Sequence, residues 1–368
     1  MYILLLFELW NEFKKEINIV EENELIKKYS DLLPIFASDY FLAKDSYVRY
    51  VQILDRLLNA NKTSVLEEIK SDIKDDNPWK DNSLKSEDDF KSVAKVDKPI
   101  LIPILEKEIE AHKQHKKEED VEIIIKNRFK DFEHIFDGNF EDPRVLILGI
   151  NPKMNTFDHK PYNLKNVYNK PFDRCRPILN SSNPKLKNDY YFLDSNGVFF
   201  KGMVKNKMDI YNRVLEQINS ENEYTPVALW EFFPYASKSE TQWFDNVEIG
   251  IGGKEIRQYL MLRRILPSQI WLLCLLTYTI KKAILENQKL TIFLKKNNKE
   301  FRESFLDQYF SYINLQEVEN IHLLTKKNGC RKEFSFTNVK PYYKNSTWKD
   351  IDNTEMFFSE VWGLEVKE

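Results

Sequence analysis

The fold is decided by the stretch Arg144-Val145-Leu146-Ile147-Leu148-Gly149-Ile150-Asn151-Pro152-Lys153-Met154-Asn155-Thr156. Four apolar residues, Val145 to Leu148, predict a short buried strand. Gly149 ends that strand and lets the backbone approach a ligand, and Asn151-Pro152 predicts a turn. Proline restricts its own φ and holds the preceding residue in an extended or turn conformation. We therefore expect the polar side chain of Asn151 to be held rigidly at the carboxyl end of a strand, where open α/β sheets bind ligands.

The composition narrows the class of protein. The chain has 368 residues, enough for two domains or for one domain with a large extension, and its net charge is −3. Any nucleic-acid surface is therefore expected to be a local basic patch. Three widely spaced cysteines indicate neither a disulfide framework nor a metal site, which is typical of a reducing compartment. We expect a cytoplasmic protein with no membrane partner, since residues 1–10 are apolar but too short to span a bilayer and lack a signal-peptide pattern.

The first third of the chain is predicted to be helical. Between Tyr47 and Leu58, apolar residues recur at helical spacing, and we expect helices throughout residues 1–75. A polar stretch near 75–98 predicts a linker, and helical patterning resumes from about 100 to 136. We expect residues 1–138 to form an N-terminal helical region that docks a protein partner, contacts DNA or regulates the rest of the chain.

From residue 142 the pattern changes to strands that alternate with helices. The predicted strands are 145–148, 227–230, 270–276 and 321–325, with a short additional strand at 290–294. The predicted helices are 208–218, 254–266, 278–287 and 301–313. Such alternation is typical of a parallel sheet that is covered on both faces. We therefore predict an α/β fold, in which residues 139–368 form a three-layer α/β/α domain with a four-stranded parallel sheet and the N-terminal α-helical region is added to it.

The segment 155–207 is too long for an ordinary connection between a strand and a helix. It is rich in asparagine, proline, lysine and aromatic residues. Two interpretations stay open, an irregular surface insertion or a loop that covers a substrate. Its place directly after the Asn-Pro turn favours the second interpretation.

The turn Gly149-Ile150-Asn151-Pro152 resembles the first active-site motif of the uracil-DNA glycosylase superfamily, closest to the mismatch-specific uracil/thymine-DNA glycosylase branch. That branch has Gly-Ile-Asn-Pro-Gly, and this chain has Lys153 in the last position. The stretch Val-Ala-Leu-Trp-Glu-Phe-Phe-Pro-Tyr-Ala-Ser-Lys-Ser, which starts at Val227, resembles the second strand and following loop of that fold. The resemblance covers about 140–340. Where the branch has Asn-Pro-Ser as its second motif, this chain has Asn328-Gly329-Cys330.

The resemblance implies a DNA glycosylase, an N-glycosyl hydrolase that needs no metal and no cofactor. Such an enzyme flips a damaged, mispaired or modified base out of duplex or single-stranded DNA and hydrolyses its N-glycosidic bond, which leaves an abasic site. Asn151 is the candidate that positions the attacking water through its amide oxygen. Asp158 and Glu231 are alternatives for that role. Because the motifs differ from the family pattern, we expect a substrate other than plain uracil, and one hypothesis is bacterial defence against phage DNA with modified bases.

The other candidate residues are assigned to the base and to the phosphates. Phe157 and Tyr162 are candidates for stacking on a flipped base, and Asn328 for reading its edge. The substrate-binding set also contains Gly149, Ile150, Pro152 and Phe233. The basic residues Lys153, Lys326, Lys327, Arg331 and Lys332 suit DNA phosphates. Each assignment has a structural alternative, because Asn151 can cap its own turn, the aromatic rings can pack in a core, and the basic cluster can be a solvated turn.

A second class of function stays open. A catalytically inactive module of the same fold could bind a nucleic acid, a nucleotide or a partner protein without cutting it. Lys153 in place of glycine and the lack of Pro-Ser after Asn328 favour this alternative. Strand breaks that depend on Asn151 would distinguish the enzyme from the binding module.

Overall fold

The computed structural model describes residues 24–35, 37–79, 93–103, 136–138, 140–143, 145–149, 227–235, 265–294, 305–315, 318, 320–326 and 336–337. These residues form an α/β fold with a parallel sheet. The predicted helices 208–218 and most of 254–266, the segment 155–207 and residues 1–10 lie outside the described residues. None of the helices within these ranges is long and apolar enough to cross a membrane.

Within the described residues, three helices lie before the short helical stretch 98–103 and the sheet. They are α1 at Glu24–Lys28, α2 at Ala37–Asn59 and α3 at Thr63–Asp75. Many of their apolar residues recur every three or four positions and are buried, as Leu54 and Leu57 of α2 illustrate, whereas Phe41 and Leu42 near the start of α2 are exposed. The helical prediction for residues 1–75 is therefore confirmed where the structure describes that segment.

Six strands of the described part of the chain form one sheet. They are β1 at Phe136–Gly138, β2 at Val145–Gly149, β3 at Val227–Glu231, β4 at Leu290–Leu294, β5 at Ile321–Lys326 and β6 at Phe336–Thr337. Their order across the sheet is β1-β3-β2-β4-β5-β6. β2 pairs in parallel with β3 and β4, and β4 pairs in parallel with β5. β1 and β6 are antiparallel edge strands. They are absent from the predictions because two or three residues carry no periodicity.

The third predicted strand is wrong. Residues 270–276 lie inside helix α4, at Pro267–Leu285, and β4 takes the strand position beside β2. A short apolar run cannot distinguish a buried strand from a helix that is apolar on all sides. Leucine favours the helix, and proline at the first helical position fits there because its fixed φ is helical and its missing N–H is not needed. A short helix, α5 at Asp307–Tyr312, lies within the predicted helix 301–313.

Helix α4 connects the N-terminal helices to the sheet. The indole N–H of Trp230 in β3 donates to the Leu272 carbonyl at 2.8 Å. From the preceding residue of α4, the indole N–H of Trp271 donates to the Ile73 carbonyl in α3 at 3.0 Å. Residues of α2, α3, α4 and the sheet belong to one cluster of buried apolar side chains. The N-terminal helices and the sheet therefore share a hydrophobic core.

The segment before β2 is held by an ion cluster. The Glu141 carboxylate accepts from the Lys282 ammonium of α4 at 2.6 Å and also pairs with the Lys70 ammonium of α3. Burial acts to raise the pKa of Glu141, but the hydrogen bonds and charges of the two lysines outweigh it, so the pKa lies below its usual value. Glu141, which lies shortly before β2, therefore links this segment to both α3 and α4.

Both ends of the predicted linker lie in the core, which differs from the expectation for a polar stretch. Trp79 is 2 % exposed, and its ring packs edge-on against Trp271 with centroids 5.9 Å apart. Val93, Ala94 and Asp97 at the other end are fully buried or nearly so. Individual apolar residues in a polar context carry too weak a pattern to predict this. The division of the chain near residue 138 stays a prediction.

Candidate functional site

The carboxyl ends of the parallel strands lie at one edge of the sheet. Gly149, the last residue of β2, is in register with Glu231, the last residue of β3. Leu148 of β2 is in register with Leu294 at the end of β4, which is in register with Thr325 of β5. Open α/β sheets bind their ligands at this edge. We take it as the candidate site.

The strands that directly precede the two predicted motifs, β2 and β5, end at this same edge. The chain continues from Gly149 into Ile150-Asn151-Pro152, and from Lys326 into Lys327 and Asn328. One strand, β4, lies between β2 and β5. Because neighbouring strands are about 4.8 Å apart, the two exits are about 10 Å apart across the sheet.

Three of the predicted site residues are described. Gly149 ends β2 and Lys326 ends β5. Phe233 follows β3 and is buried in the core, with its ring edge-on to Tyr235 and the centroids 5.6 Å apart. The other predicted residues lie outside the described residues, namely Ile150, Asn151, Pro152, Lys153, Phe157, Asp158, Tyr162, Lys327, Asn328, Arg331 and Lys332. The functional roles of all these residues stay predictions.

Glu231 is the residue that the structure brings to the candidate site most directly. Its side chain packs on the Cα of Gly149, so that a Cβ placed on Gly149 would lie 1.8 Å from Oε2 and 2.6 Å from Oε1 of Glu231. The residue is only 2 % exposed. Because residue 149 is a glycine, the Glu231 carboxylate can lie directly against the backbone at the end of β2. The signal in the sequence is a charged residue that ends the apolar run Val-Ala-Leu-Trp.

Glu231 lies on the sheet face opposite to α4. Successive side chains of a strand point to opposite faces, and the indole of the preceding residue, Trp230, contacts Leu272 of α4. The carboxylate of Glu231 thus lies at the carboxyl edge, on the face that α4 does not cover.

The backbone that follows Glu231 is fixed by hydrogen bonds from two directions. The Phe232 N–H donates to the Gly149 carbonyl at 3.0 Å, which extends the pairing of β3 with β2. The side-chain amide of Gln269 donates to the Phe232 carbonyl at 3.2 Å and accepts from the Leu266 N–H at 2.9 Å. The end of β3 is therefore tied both to β2 and to the first turn of α4, which holds Glu231 in one place.

A second buried carboxylate, that of Asp97, is linked to the same segment. It accepts from the Tyr235 hydroxyl at 2.6 Å, from the Ser268 N–H at 3.1 Å and from the Ser268 hydroxyl. The Tyr235 oxygen in turn accepts from the Ala94 N–H at 3.1 Å. Ser268 lies in the first turn of α4, where N–H groups lack partners within the helix and the helix dipole favours negative charge. Asp97 therefore serves as a cap for α4 that comes from a distant part of the chain.

Burial raises the pKa of Asp97 to about 6, although the hydrogen bonds from Ser268 and Tyr235 act in the opposite direction. Burial, together with the charge of Asp97, also raises the pKa of the Tyr235 hydroxyl. Sequence reasoning missed Asp97 because it lies in the predicted linker among other polar residues, and nothing in the local pattern distinguishes it.

Across the ranges that the structure describes, no three histidine, cysteine, aspartate or glutamate side chains are grouped so that they could hold a metal ion.

Comparison with known proteins identified no relative of this chain. No protein-family model matches the sequence, and neither a curated protein nor a solved structure gives a significant match.

Proposed function

We propose that the protein is a DNA glycosylase that flips a damaged, mispaired or modified base and hydrolyses its N-glycosidic bond to leave an abasic site. Its catalytic part would be residues 139–368, as a three-layer α/β/α domain on four parallel strands. The observation that carries the proposal is that β2 ends at Gly149, at the carboxyl edge of the sheet, directly before Ile150-Asn151-Pro152. The turn that resembles a glycosylase motif thus follows the end of a strand at which ligands bind in such sheets.

The chemistry needs three contributions from the site. The base has to leave the stack and enter a pocket, for which Phe157 and Tyr162 are the stacking candidates. A water has to be held against the anomeric carbon as oxocarbenium character develops, which we assign to the amide oxygen of Asn151. Negative charge on the leaving base has to be stabilised, and Asn328 is the candidate that contacts its edge. Because an amide is a weak base, the reaction relies on a labile leaving base.

The positions of the strand ends support a single cleft. The ends of β2 and β5, at Gly149 and Lys326, lie on either side of one intervening strand at the same edge. A cleft above the end of β4, spanning the distance of about 10 Å between the ends of β2 and β5, would be wide enough for one planar base with contacts on both sides. The basic residues from Lys326 to Lys332 would then meet DNA phosphates beside the cleft.

The biological setting that we favour is defence against invading phage DNA. Its support is the combination of a glycosylase-like turn with the departures at Lys153 and Asn328. We assign the N-terminal helices to docking or regulation, through DNA or a protein partner, in a cytoplasmic protein.

The proposed function is tested with oligonucleotides that carry uracil, a mismatch or a modified cytosine. After incubation, alkali converts each abasic site into a strand break. We expect breaks with the wild-type protein, more in modified cytosine than in uracil DNA, and a loss of at least about 100-fold in Asn151→Ala, since one positioned catalytic group contributes about that much. Asn61→Ala serves as the matched control, because Asn61 is exposed and precedes α3.

Two outcomes would contradict the proposal. Breaks that persist unchanged in Asn151→Ala would exclude this asparagine as the group that holds water. Binding of the oligonucleotides without any break would support the non-catalytic module, which Lys153 and the missing Pro-Ser after Asn328 favour.

A further inference from the structure

Three segments of the chain meet at the buried carboxylate of Asp97. From the first turn of α4, the N–H of Ser268 donates to it at 3.1 Å, and so does the Ser268 hydroxyl. The hydroxyl of Tyr235, a residue that follows β3, donates to it at 2.6 Å and accepts from the Ala94 N–H at 3.1 Å. All four residues are buried. These contacts join the segment 93–103, the end of β3 and the start of α4, and we call the meeting point the Asp97 junction.

The Asp97 carboxylate has no cationic partner in the part of the chain that the structure describes. Its donors there are two hydroxyl groups and one backbone N–H, so a negative charge on it is not neutralised. The charge of Asp39 in α2, which is also buried, acts to raise the pKa of Asp97 further. A buried charge without an opposite charge is costly, because the protein interior solvates it less well than water does. A proton on Asp97 removes this cost.

Neither of the tyrosines that face Asp97 ionises near neutral pH. Burial, together with the charge of Asp97, raises the pKa of Tyr235 well above its usual value. Burial, followed by the same charge, raises the pKa of Tyr50 in α2. On the segment 93–103 itself, the other charged side chains are those of Lys95, which is exposed, and Lys98, which is half-buried. The tyrosines therefore remain donors while Asp97 gains or loses its proton.

We propose that the Asp97 junction is a pH-sensitive switch, which stays closed while Asp97 carries a proton and opens locally when that proton is lost. The pKa of Asp97 is about 6 in the closed junction, against a usual value of 3.8. The added stability of the closed form is therefore fully present below pH 3.8 and is lost as the pH rises through 6. Opening would release the segment after β3 from α4, close to the carboxyl edge of the sheet. The switch does not depend on the proposed glycosylase activity.

Hydrogen exchange of the full-length chain tests the switch, with each rate corrected for the intrinsic exchange rate at that pH. The reporting amides are those of Ala94 and Ser268, which donate within the junction. Their protection should fall about tenfold from pH 5 to pH 7.5, which is the change that pKa values of 3.8 and about 6 imply. At each pH it should be lower than that of Leu54 in α2 and should change little in dilute urea, because a local opening exposes little surface.

Substitutions identify the group that loses the proton. Asp97→Asn cannot ionise and should abolish the fall in protection at Ser268. Asp45→Asn is the matched control, because Asp45 is exposed on α2, and it should leave the tenfold fall unchanged. Should Asp97→Asn not fold, Tyr235→Phe decides the question. It removes one donor to the ionised carboxylate, so the pKa of Asp97 should rise and the fall at Ser268 should continue to a higher pH.

Three results would overturn the proposal. The first is wild-type protection at Ala94 and Ser268 that does not change with pH, and the second is a fall that Asp97→Asn retains. The third is protection equal to that of Leu54 with an equally steep response to urea, which would mean that the junction opens only when the whole protein unfolds. The strand-break assay is independent of all three, so the switch and the glycosylase activity can fail separately.

Discussion

Gly149 and Glu231 fit together as a pair. Gly149 has no side chain, and the carboxylate of Glu231 occupies the space in which a Cβ would lie. The predicted reason for a glycine here is close approach of a ligand, and the contact that the structure shows is close approach of a neighbouring side chain. The sequence singles out Gly149 but does not predict that Glu231 is its partner, because the register between β2 and β3 cannot be deduced from either strand alone.

Gly149→Ala should destabilise the protein by about 1–3 kcal/mol, which is the usual cost of inserting a methyl group into a packed site. The backbone at Gly149 is not left-handed, so an alanine there carries no conformational strain of its own. The loss should therefore come from the displaced carboxylate, and urea unfolding at neutral pH measures it.

Removal of the carboxylate provides the control. In the double variant Gly149→Ala with Glu231→Ala, the added methyl group no longer meets Oε2, so the cost of the glycine substitution should shrink by about 1 kcal/mol or more. Strictly additive effects of the two substitutions would show that the steric contact does not determine stability.

At the scale of elements, α4 organises its neighbours through its first turn and along its length. Its first turn is capped by Asp97 and Gln269, and other residues of the helix contact α2, α3 and β3. The sequence predicts β2, β3, β4 and β5 to within a residue at their ends, because each is a short apolar run between turn signals. It fails at α4 because a helix that is buried on every side loses the periodicity that identifies helices.

The carboxyl group of Asp97, which caps α4, should make the free energy of unfolding depend on pH between about 4 and 6. Asp97 has a pKa raised from 3.8 to about 6 in the folded protein, so the folded state holds this proton more tightly than the unfolded state does. The stabilisation that comes from this tighter proton binding by Asp97 is therefore fully present below pH 3.8 and is lost as the pH rises toward 6. At about 1.4 kcal/mol for each pH unit between the two pKa values, the loss is on the order of 3 kcal/mol.

Asp97→Asn isolates this effect, because asparagine keeps the shape of the side chain and does not ionise. The difference in free energy of unfolding between wild type and Asp97→Asn should shift against the wild type as the pH rises from 4 to 6, and then stay constant to pH 8. Urea unfolding of both proteins at each pH measures it. A difference that is the same at all pH values would contradict a raised pKa for Asp97.

For the molecule as a whole, the feature that matters is that α2 and α3 share a core with α4 and the sheet. The sequence predicts the N-terminal helices and the α/β alternation correctly as separate patterns. It does not predict that the two meet, because contacts such as that between Tyr50 and Cys274 join residues 224 positions apart. Local periodicity carries no information about partners so distant.

A substitution in α2 should therefore weaken the sheet as well. Leu57 is fully buried, and Leu57→Ala should cost about 2–5 kcal/mol. We expect far-UV circular dichroism and tryptophan fluorescence to shift to the same lower urea concentration, since Trp230 in β3 and Trp271 in α4 report on the shared core.

Leu42→Ala is the matched control, from the first turn and a half of α2, before the kink at Ala43. Leu42 is 53 % exposed, so its loss should change the free energy of unfolding by less than about 0.5 kcal/mol. Circular dichroism and fluorescence that report separate transitions in Leu57→Ala would show that the N-terminal helices unfold independently of the sheet.

The place of α4 late in the chain has a consequence for biosynthesis. Trp271 lies 198 residues after its partner Ile73, so the ribosome releases α2 and α3 long before the helix that covers them. At about 5–20 residues per second, their apolar surfaces wait roughly 10–40 seconds for that cover. Throughout this interval the nascent helices remain open to chaperones and to other growing chains, and the order of translation sets the period of greatest risk of aggregation.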